Sequence, residues 1–224
     1  MGRNSAKFSS KISPMRLYLN SNINYAKLKS MGNIQLNIEQ LFDSPIKIRL
    51  LNLFLRNPET SFKLNEAAGK IGCRPPVARR HILRLKEIGF LLSKTRKGKG
   101  VGYILNNQFL FYPELKNLIL KSIPIPFEKL KRQLKNLGNI KLAIISGIFL
   151  NSEGSRTDML LVGERINQKK LNNFIKKTEQ NIGKEVVYTI FDAKEFNYRL
   201  NVRDRFVRDI IGGRHEKLIQ RLKI

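Results

Sequence analysis

The amino-acid sequence predicts an α+β protein made of two domains. Three short amphipathic helical patterns between residues 44 and 89 precede two strand-like segments, which are joined by the glycine-rich stretch RKGKG. After the proline-rich stretch SIPIPF, apolar strand segments alternate with helical segments, which is typical of a small α/β unit. The predicted boundaries are an N-terminal arm over 1–35, a first domain over 36–122, a linker over 123–127 and a second domain over 128–224.

Composition restricts the function further. The 224 residues include 43 Lys and Arg against 17 Asp and Glu, and the net charge of +26 favours a polyanionic partner. Cys73 is the only cysteine and there are two histidines, so we expect no intramolecular disulfide and no thiolate or zinc cluster. We also expect no cofactor. No apolar run approaches the about 18 residues of a membrane span. We therefore expect a cytoplasmic protein with no membrane partner.

The N-terminal arm is predicted to be basic and disordered. Its first 33 residues contain six Lys or Arg and no acid, and Ser and Asn are frequent. Two interpretations remain open: a solvated tail without a role, or an extension that contacts nucleic-acid phosphates.

Each helix of the first domain has recognisable ends. Ser44-Pro45 predicts an N-cap followed by proline at the first helical position, and Asn57-Pro58 ends that helix. Gly72 ends the second helix and Gly89 the third, and a fourth runs from Tyr112 to about Ser122. The core-facing stripe of the third helix is predicted to be Ala78, Ile82, Leu85 and Ile88.

Three helices followed by a two-stranded hairpin predict a winged helix-turn-helix. Its third helix, RPPVARRHILRLKE, is strongly basic, and its arginines face outward if the apolar stripe faces the core. Arginine on a helix in the major groove can donate two hydrogen bonds to guanine, and a cationic hairpin tip can reach phosphates or the minor groove. The predicted DNA-binding residues are Arg74, Arg79, Arg80, Arg84, Lys94, Arg96, Lys97 and Lys99.

Residues 41–120 also resemble the winged-helix domain of prokaryotic regulators of the ArsR/MarR-like kind. The resemblance lies in the small EAAGKIG helix, in the RHILRLKEIGFL helix that runs into the hairpin, and in the closing GYILN strand. It implies a transcriptional regulator that binds double-stranded DNA, and such domains often form homodimers on palindromic sites. Binding to RNA or the ribosome, or to another protein alone, remains an alternative.

The second domain begins with a helix through Leu130, Leu134 and Leu137. Two buried strands are expected at IKLAIISG and DMLLVG, and a third at EVVYTIF. A helix over 167–182 lies between the second and third strands, and two more helices follow, around 192–200 and 203–211.

Residues 139–200 resemble the minimal nucleotidyltransferase domain that follows such a winged helix in some prokaryotic proteins. That family has a strand ending in Gly-Ser, a polar loop, an Asp-x-Asp pair that leads the next strand, and a third carboxylate. Gly147 and Asp158 keep their positions here, but Ile148 replaces the serine and Arg156 replaces the first aspartate. Glu185 is a poorly placed candidate for the third carboxylate.

The replacement of an acid by Arg156 argues against catalysis. An arginine cannot deprotonate, and its repulsion of another cation at 4 Å is about 4 kcal/mol at an effective dielectric constant of 20. We therefore predict no catalytic and no metal-binding residues, and thus a catalytically degenerate domain. It would serve assembly, or would sense a nucleotide or anion effector through Gly147, Arg156 and Asp158. The alternative is an active nucleotidyltransferase that modifies a nucleic acid or a protein.

Overall fold

The computed structural model describes residues 42, 44–96, 100–121, 125–152 and 154–222. Within these residues it contains eight α-helices and two β-sheets, so the predicted α+β class is confirmed. The predicted arm, residues Lys97 and Lys99 of the hairpin tip, and residues 122–124 around the start of the predicted linker lie outside the described residues.

Residues 44–121, here called the helical module, contain four helices and a small antiparallel sheet. The helices are α1 (Pro45–Arg56), α2 (Leu64–Ile71), α3 (Pro75–Glu87) and α4 (Tyr112–Lys121). The strands are β1 (Phe62–Lys63), β2 (Leu91–Arg96) and β3 (Gly100–Leu105), in the order β1-β3-β2. The two-residue strand β1 pairs with β3 and was not predicted from the sequence.

The predicted helix ends of this module are confirmed where local chemistry determines them. The Ser44 side chain accepts a hydrogen bond from the Lys47 amide at the start of α1, and Gly72 ends α2 with a φ of +68°. The prediction that Ile88 faces the core is wrong, because α3 ends at Glu87 and the Ile88 side chain is 59% exposed. Phe90 occupies the core instead, at 0% exposure.

Residues 125–222, here called the sheet module, are built on a four-stranded sheet. Its strands are β4 (Asn139–Ile145), β5 (Met159–Glu164), β6 (Tyr188–Phe191) and β7 (Glu216–Gln220), in the order β6-β5-β4-β7. β5 and β6 are parallel, and the other two pairs are antiparallel. The helices are α5 (Phe127–Lys135), α6 (Gln168–Ile182), α7 (Ala193–Asn201) and α8 (Arg205–Gly212).

Apolar side chains cover both faces of this sheet. Because side chains alternate along a strand, Ala143 and Ile145 of β4 join one core cluster, whereas Leu142 and Ile144 join the other. The first cluster includes residues of α5 and α6, and the second includes residues of α7 and α8. Strand β7 was not predicted, and Ile125 of the predicted linker is buried in the first cluster.

The two modules are in direct contact through α1 and the end of α6. Asn52 Nδ2 donates to the Asn181 carbonyl at 3.2 Å, and Asn57 Nδ2 donates to the Gly183 carbonyl at 2.8 Å. A Cβ at Gly183 would lie 2.5 Å from the Leu53 nitrogen, so only glycine fits this close approach of backbones. The described residues belong to one compact unit.

No helix in the described part of the chain has the length and apolar character needed to cross a membrane.

Candidate functional site

Helix α3 separates an apolar face from a cationic face. Ala78, Ile82 and Leu85 are at most 2% exposed and pack in the core of the helical module, as predicted. Arg79, Arg80 and Arg84 are exposed on the rest of the helix. The apolar face fixes the orientation of α3, so the three guanidinium groups face solvent without contributing to the core.

The turn between α2 and α3 determines where this cationic face begins. Gly72 adopts the left-handed conformation, and the Cys73 amide donates to the Ala68 carbonyl at 3.0 Å. Arg74 is the N-cap residue of α3 and Pro75 its first helical residue. The exposed Arg74 side chain therefore lies at the N-terminal end of α3.

The charges on this surface have no ion-pair partners among the described residues. None of Arg74, Arg79, Arg80, Arg84 and Lys94 forms an ion pair with another residue that the structure describes. Unpaired, exposed guanidinium groups keep their hydrogen-bond donors available for an anionic partner.

His81 lies on the margin of the same helix and contacts α1. Its Nε2 is 3.5 Å from Ser44 Oγ, and the ring is partly buried. Burial lowers the pKa of His81, and the charges of Arg80, Arg84 and Lys47 lower it further. These effects favour the neutral form of the ring, and its contact with Ser44, the N-cap residue of α1, places His81 in the packing of α3 against the start of α1.

The hairpin follows α3 and extends from the same module. Helix α3 contacts β2, and β2 and β3 are paired from Leu91 opposite Leu105 to Arg96 opposite Gly100. The Lys94 side chain is exposed on β2. Arg96 is the last residue of β2, immediately before the undescribed tip.

In the sheet module, the Asp158 carboxylate binds backbone amides. Its Oδ1 accepts from the Ile148 amide at 2.8 Å, and its Oδ2 accepts from the Val187 amide at 2.9 Å. Gly147 precedes this contact with a φ of +51°, and a Cβ there would overlap Asp158 Oδ1. Asp158 therefore holds the turn after β4 against the residues that lead into β6.

Arg156, which stands where the resembled family has an aspartate, forms an ion pair with α8. Its Nε donates to Asp209 Oδ2 at 2.6 Å. This hydrogen bond lowers the pKa of the Asp209 carboxyl, and the charges of Arg156, Arg205 and Arg208 lower it further, while partial desolvation opposes them. Sequence reasoning missed Asp209 because RDRFVRD alternates in charge, as solvated helices do.

Among the described residues, no cluster of three His, Cys, Asp or Glu side chains could hold a metal ion. Glu185 is instead 3.7 Å from Lys70 Nζ, and its side chain is 85% exposed.

Gly147, Arg156 and Asp158 nevertheless lie together on one cleft of about 600 Å³. Its opposite wall comes from the helical module and includes Arg56, the last residue of α1, and Lys116 of α4. Sequence reasoning did not find Arg56, because only the contact between modules brings it to this cleft.

Comparisons with protein-family models, with curated proteins and with solved structures returned no match to this chain.

Proposed function

We propose that the protein is a transcriptional regulator that binds double-stranded DNA through the helical module, which we interpret as a winged helix-turn-helix. Helix α3 would enter the major groove, and the hairpin would contact the backbone or the minor groove. The sheet module, which resembles a catalytically degenerate nucleotidyltransferase domain, would serve assembly or effector sensing.

The observation that carries this proposal is the exposed, unpaired cationic face of α3. Arg79, Arg80 and Arg84 are exposed, whereas the other face of the same helix is buried. Arg80 and Arg84 lie four residues apart on one exposed face, so their mild mutual repulsion would be offset by a bound polyanion. The element order α1-β1-α2-α3-β2-β3 and the net charge of +26 agree with this interpretation.

The proposal is tested by replacing all three arginines with alanine and measuring affinity for duplex DNA by fluorescence anisotropy at several salt concentrations. We expect at least a 100-fold loss of affinity at about 150 mM salt and a salt slope smaller by about three. Stability should change little, because the replaced side chains are exposed.

The matched control replaces Lys129, Arg132 and Lys135 of α5 with alanine. These residues are also exposed and spaced along one helix, and their removal changes the net charge by the same amount. The control should keep most of its DNA affinity. Equal losses in both variants would contradict the assignment to α3, and preferential competition by structured RNA over duplex DNA would contradict the choice of DNA.

A further inference from the structure

Leu83 is an apolar side chain on the cationic face of α3. It is 36% exposed, and it does not belong to the core cluster that contains its neighbours Ile82 and Leu85. A single exposed leucine is common on protein surfaces and is not in itself evidence of a site. Ile88, just after the end of the same helix, is even more exposed, at 59%. What distinguishes Leu83 is its position among the arginines.

Helical geometry places Leu83 between Arg79 and Arg80 on the outer face of α3. Successive residues of an α-helix are about 100° apart around its axis, so Leu83 projects roughly 40° from Arg79 and roughly 60° from Arg80, about one turn further along the helix. Both arginines are exposed, and neither has an ion-pair partner among the described residues. A ligand that contacts both guanidinium groups therefore has Leu83 directly beside it.

The side chains beyond the arginines on this face are unsuited to phosphate. Leucine has no hydrogen-bonding group. Glu87 lies about one turn further along the same face and is exposed, and its carboxylate repels phosphate but can accept a hydrogen bond from the amino group of cytosine. This part of α3 is therefore better suited to the edges of base pairs than to the sugar-phosphate backbone.

Thymine is the base that offers Leu83 an apolar partner. In the major groove each base pair presents its own pattern of donors and acceptors, and thymine adds a C5-methyl group to that pattern. Contact between this methyl group and the leucine side chain removes apolar surface of both from water. Contact of leucine with a donor or acceptor would instead leave that polar group without a partner, which is unfavourable.

We propose that Leu83 recognises a thymine in the major groove through its C5-methyl group, close to a guanine contacted by Arg79 or Arg80. This contact rests on the proposed function, the binding of duplex DNA by α3, and adds a base preference to it. A rise of about 1.5 Å per residue puts Leu83 about 4.5–6 Å beyond the two arginines, and base pairs are about 3.4 Å apart. For a helix lying along the groove, the thymine is therefore within about two base pairs of the guanine.

The test uses the full chain and a duplex that it selects from random-sequence DNA. Each thymine of that duplex is replaced in turn by deoxyuridine, which keeps the base pair and removes only the methyl group, and affinity is measured by fluorescence anisotropy. For at least one thymine we expect a loss of about fourfold, as for one buried methyl group. Leu83→Ala should bind the unmodified duplex severalfold more weakly, and should bind the thymine and deoxyuridine forms equally at that position.

Leu118→Ala is the matched control, because it makes the same change at another exposed leucine of the helical module, on α4. It should keep the parent's discrimination between thymine and deoxyuridine. Leu83→Met should keep it as well, since methionine preserves an apolar side chain of similar volume.

The neighbouring guanine is tested by repeating the selection with Arg79→Ala and with Arg80→Ala. At least one of these variants should relax the preference for a guanine within about two base pairs of the thymine that responds to loss of its methyl group.

Four results would overturn the contact while leaving DNA binding intact: no thymine responds to removal of its methyl group, Leu83→Ala still discriminates as the parent does, Leu118→Ala loses the discrimination as fully as Leu83→Ala, or neither arginine variant relaxes a guanine near that thymine. If the parent selects no duplex at all, the DNA-binding proposal itself fails, and the contact fails with it.

Discussion

The cationic face of α3 and the turn that joins β4 to β5 both carry arginine, yet the two regions use it differently. On α3, Arg79, Arg80 and Arg84 are exposed and have no ion-pair partner among the described residues. In the turn, Arg156 is paired with Asp209, and the neighbouring Asp158 binds two backbone amides. Polar groups that already have partners maintain structure, whereas those without partners are available to a ligand.

The difference follows from how each region is folded. Helix α3 is held by its buried stripe, so its outer side chains are not needed for folding. The turn has short apolar stretches and depends on polar contacts as well: Ser146 Oγ donates to the Thr157 carbonyl at 2.6 Å, and Ser155 Oγ lies 3.0 Å from Ser146 Oγ. Substitutions on α3 should therefore affect binding, and substitutions in the turn should affect stability.

The largest effect on stability is expected for Asp158→Ala. The change leaves the Ile148 and Val187 amides without their charged acceptor, and we expect a loss of about 3 kcal/mol in the free energy of unfolding. Urea denaturation at pH 7 measures it. Glu185→Ala, an exposed acid of the same region, is the control and should change stability by less than about 0.5 kcal/mol.

A double-mutant cycle makes this expectation sharper. Gly147→Ala should also destabilise the protein, because the residue has a positive φ and its new Cβ would overlap Asp158 Oδ1. Removing the carboxylate relieves that overlap. The loss in the free energy of unfolding of the double variant should therefore be smaller than the sum of the two single losses by about 1 kcal/mol or more. Additive losses would show that the two residues act independently, and the account of the turn would be wrong.

The sequence predicted those parts of the molecule that local chemistry determines. Periodicity and end signals such as Ser44 and Gly72 located the helices, and the register of Ala78, Ile82 and Leu85 placed the arginines of α3 on the outside. Strand β7 was missed because it has only two buried apolar residues, Leu218 and Ile219, and closely follows a pair of glycines. It is stabilised by pairing with β4, which the local sequence does not show.

The candidate cleft could be predicted only in part. Gly147, Arg156 and Asp158 were grouped by their resemblance to a known pattern, and they do line one cleft. The residues around them could not be predicted, because Arg56, which lines the same cleft, and Asp209, which pairs with Arg156, are about 100 and 50 residues away in the chain and are brought there by tertiary packing. Sequence periodicity contains no information on such contacts.

Arg84→Ala and Arg156→Ala should differ in stability and in the salt slope of DNA binding, with smaller effects on stability than that of Asp158→Ala. Arg84→Ala should leave stability within about 0.5 kcal/mol of the parent and lower the salt slope of DNA binding by about one. Arg156→Ala should lower stability by up to about 1 kcal/mol, since it breaks a partly exposed ion pair, and should leave the salt slope unchanged. Both variants are measured by denaturation and by fluorescence anisotropy. The comparison would be contradicted if Arg84→Ala lost stability and Arg156→Ala lowered the salt slope, or if both variants showed the same two effects.

The smallest effect concerns the pH dependence of the pair between Arg156 and Asp209. The pKa of Asp209 is lowered in the folded protein, mainly by the hydrogen bond from Arg156, so the unfolded chain takes up this proton first as the pH falls. The stabilisation by the carboxylate is therefore complete above its ordinary pKa of 3.8 and decreases as the pH falls through the lower, folded value.

The difference in denaturation midpoint between the parent and Asp209→Asn should be largest near pH 7, and should disappear in acid and in about 1 M salt. In an Arg156→Gln background the same substitution should show a weaker pH dependence, with Arg205 and Arg208 as the remaining cations. A difference that stays constant between pH 7 and pH 2.5 would show that the contact acts as a neutral hydrogen bond, and Arg156 would then be less distinct from the unpaired arginines of α3 than its geometry indicates.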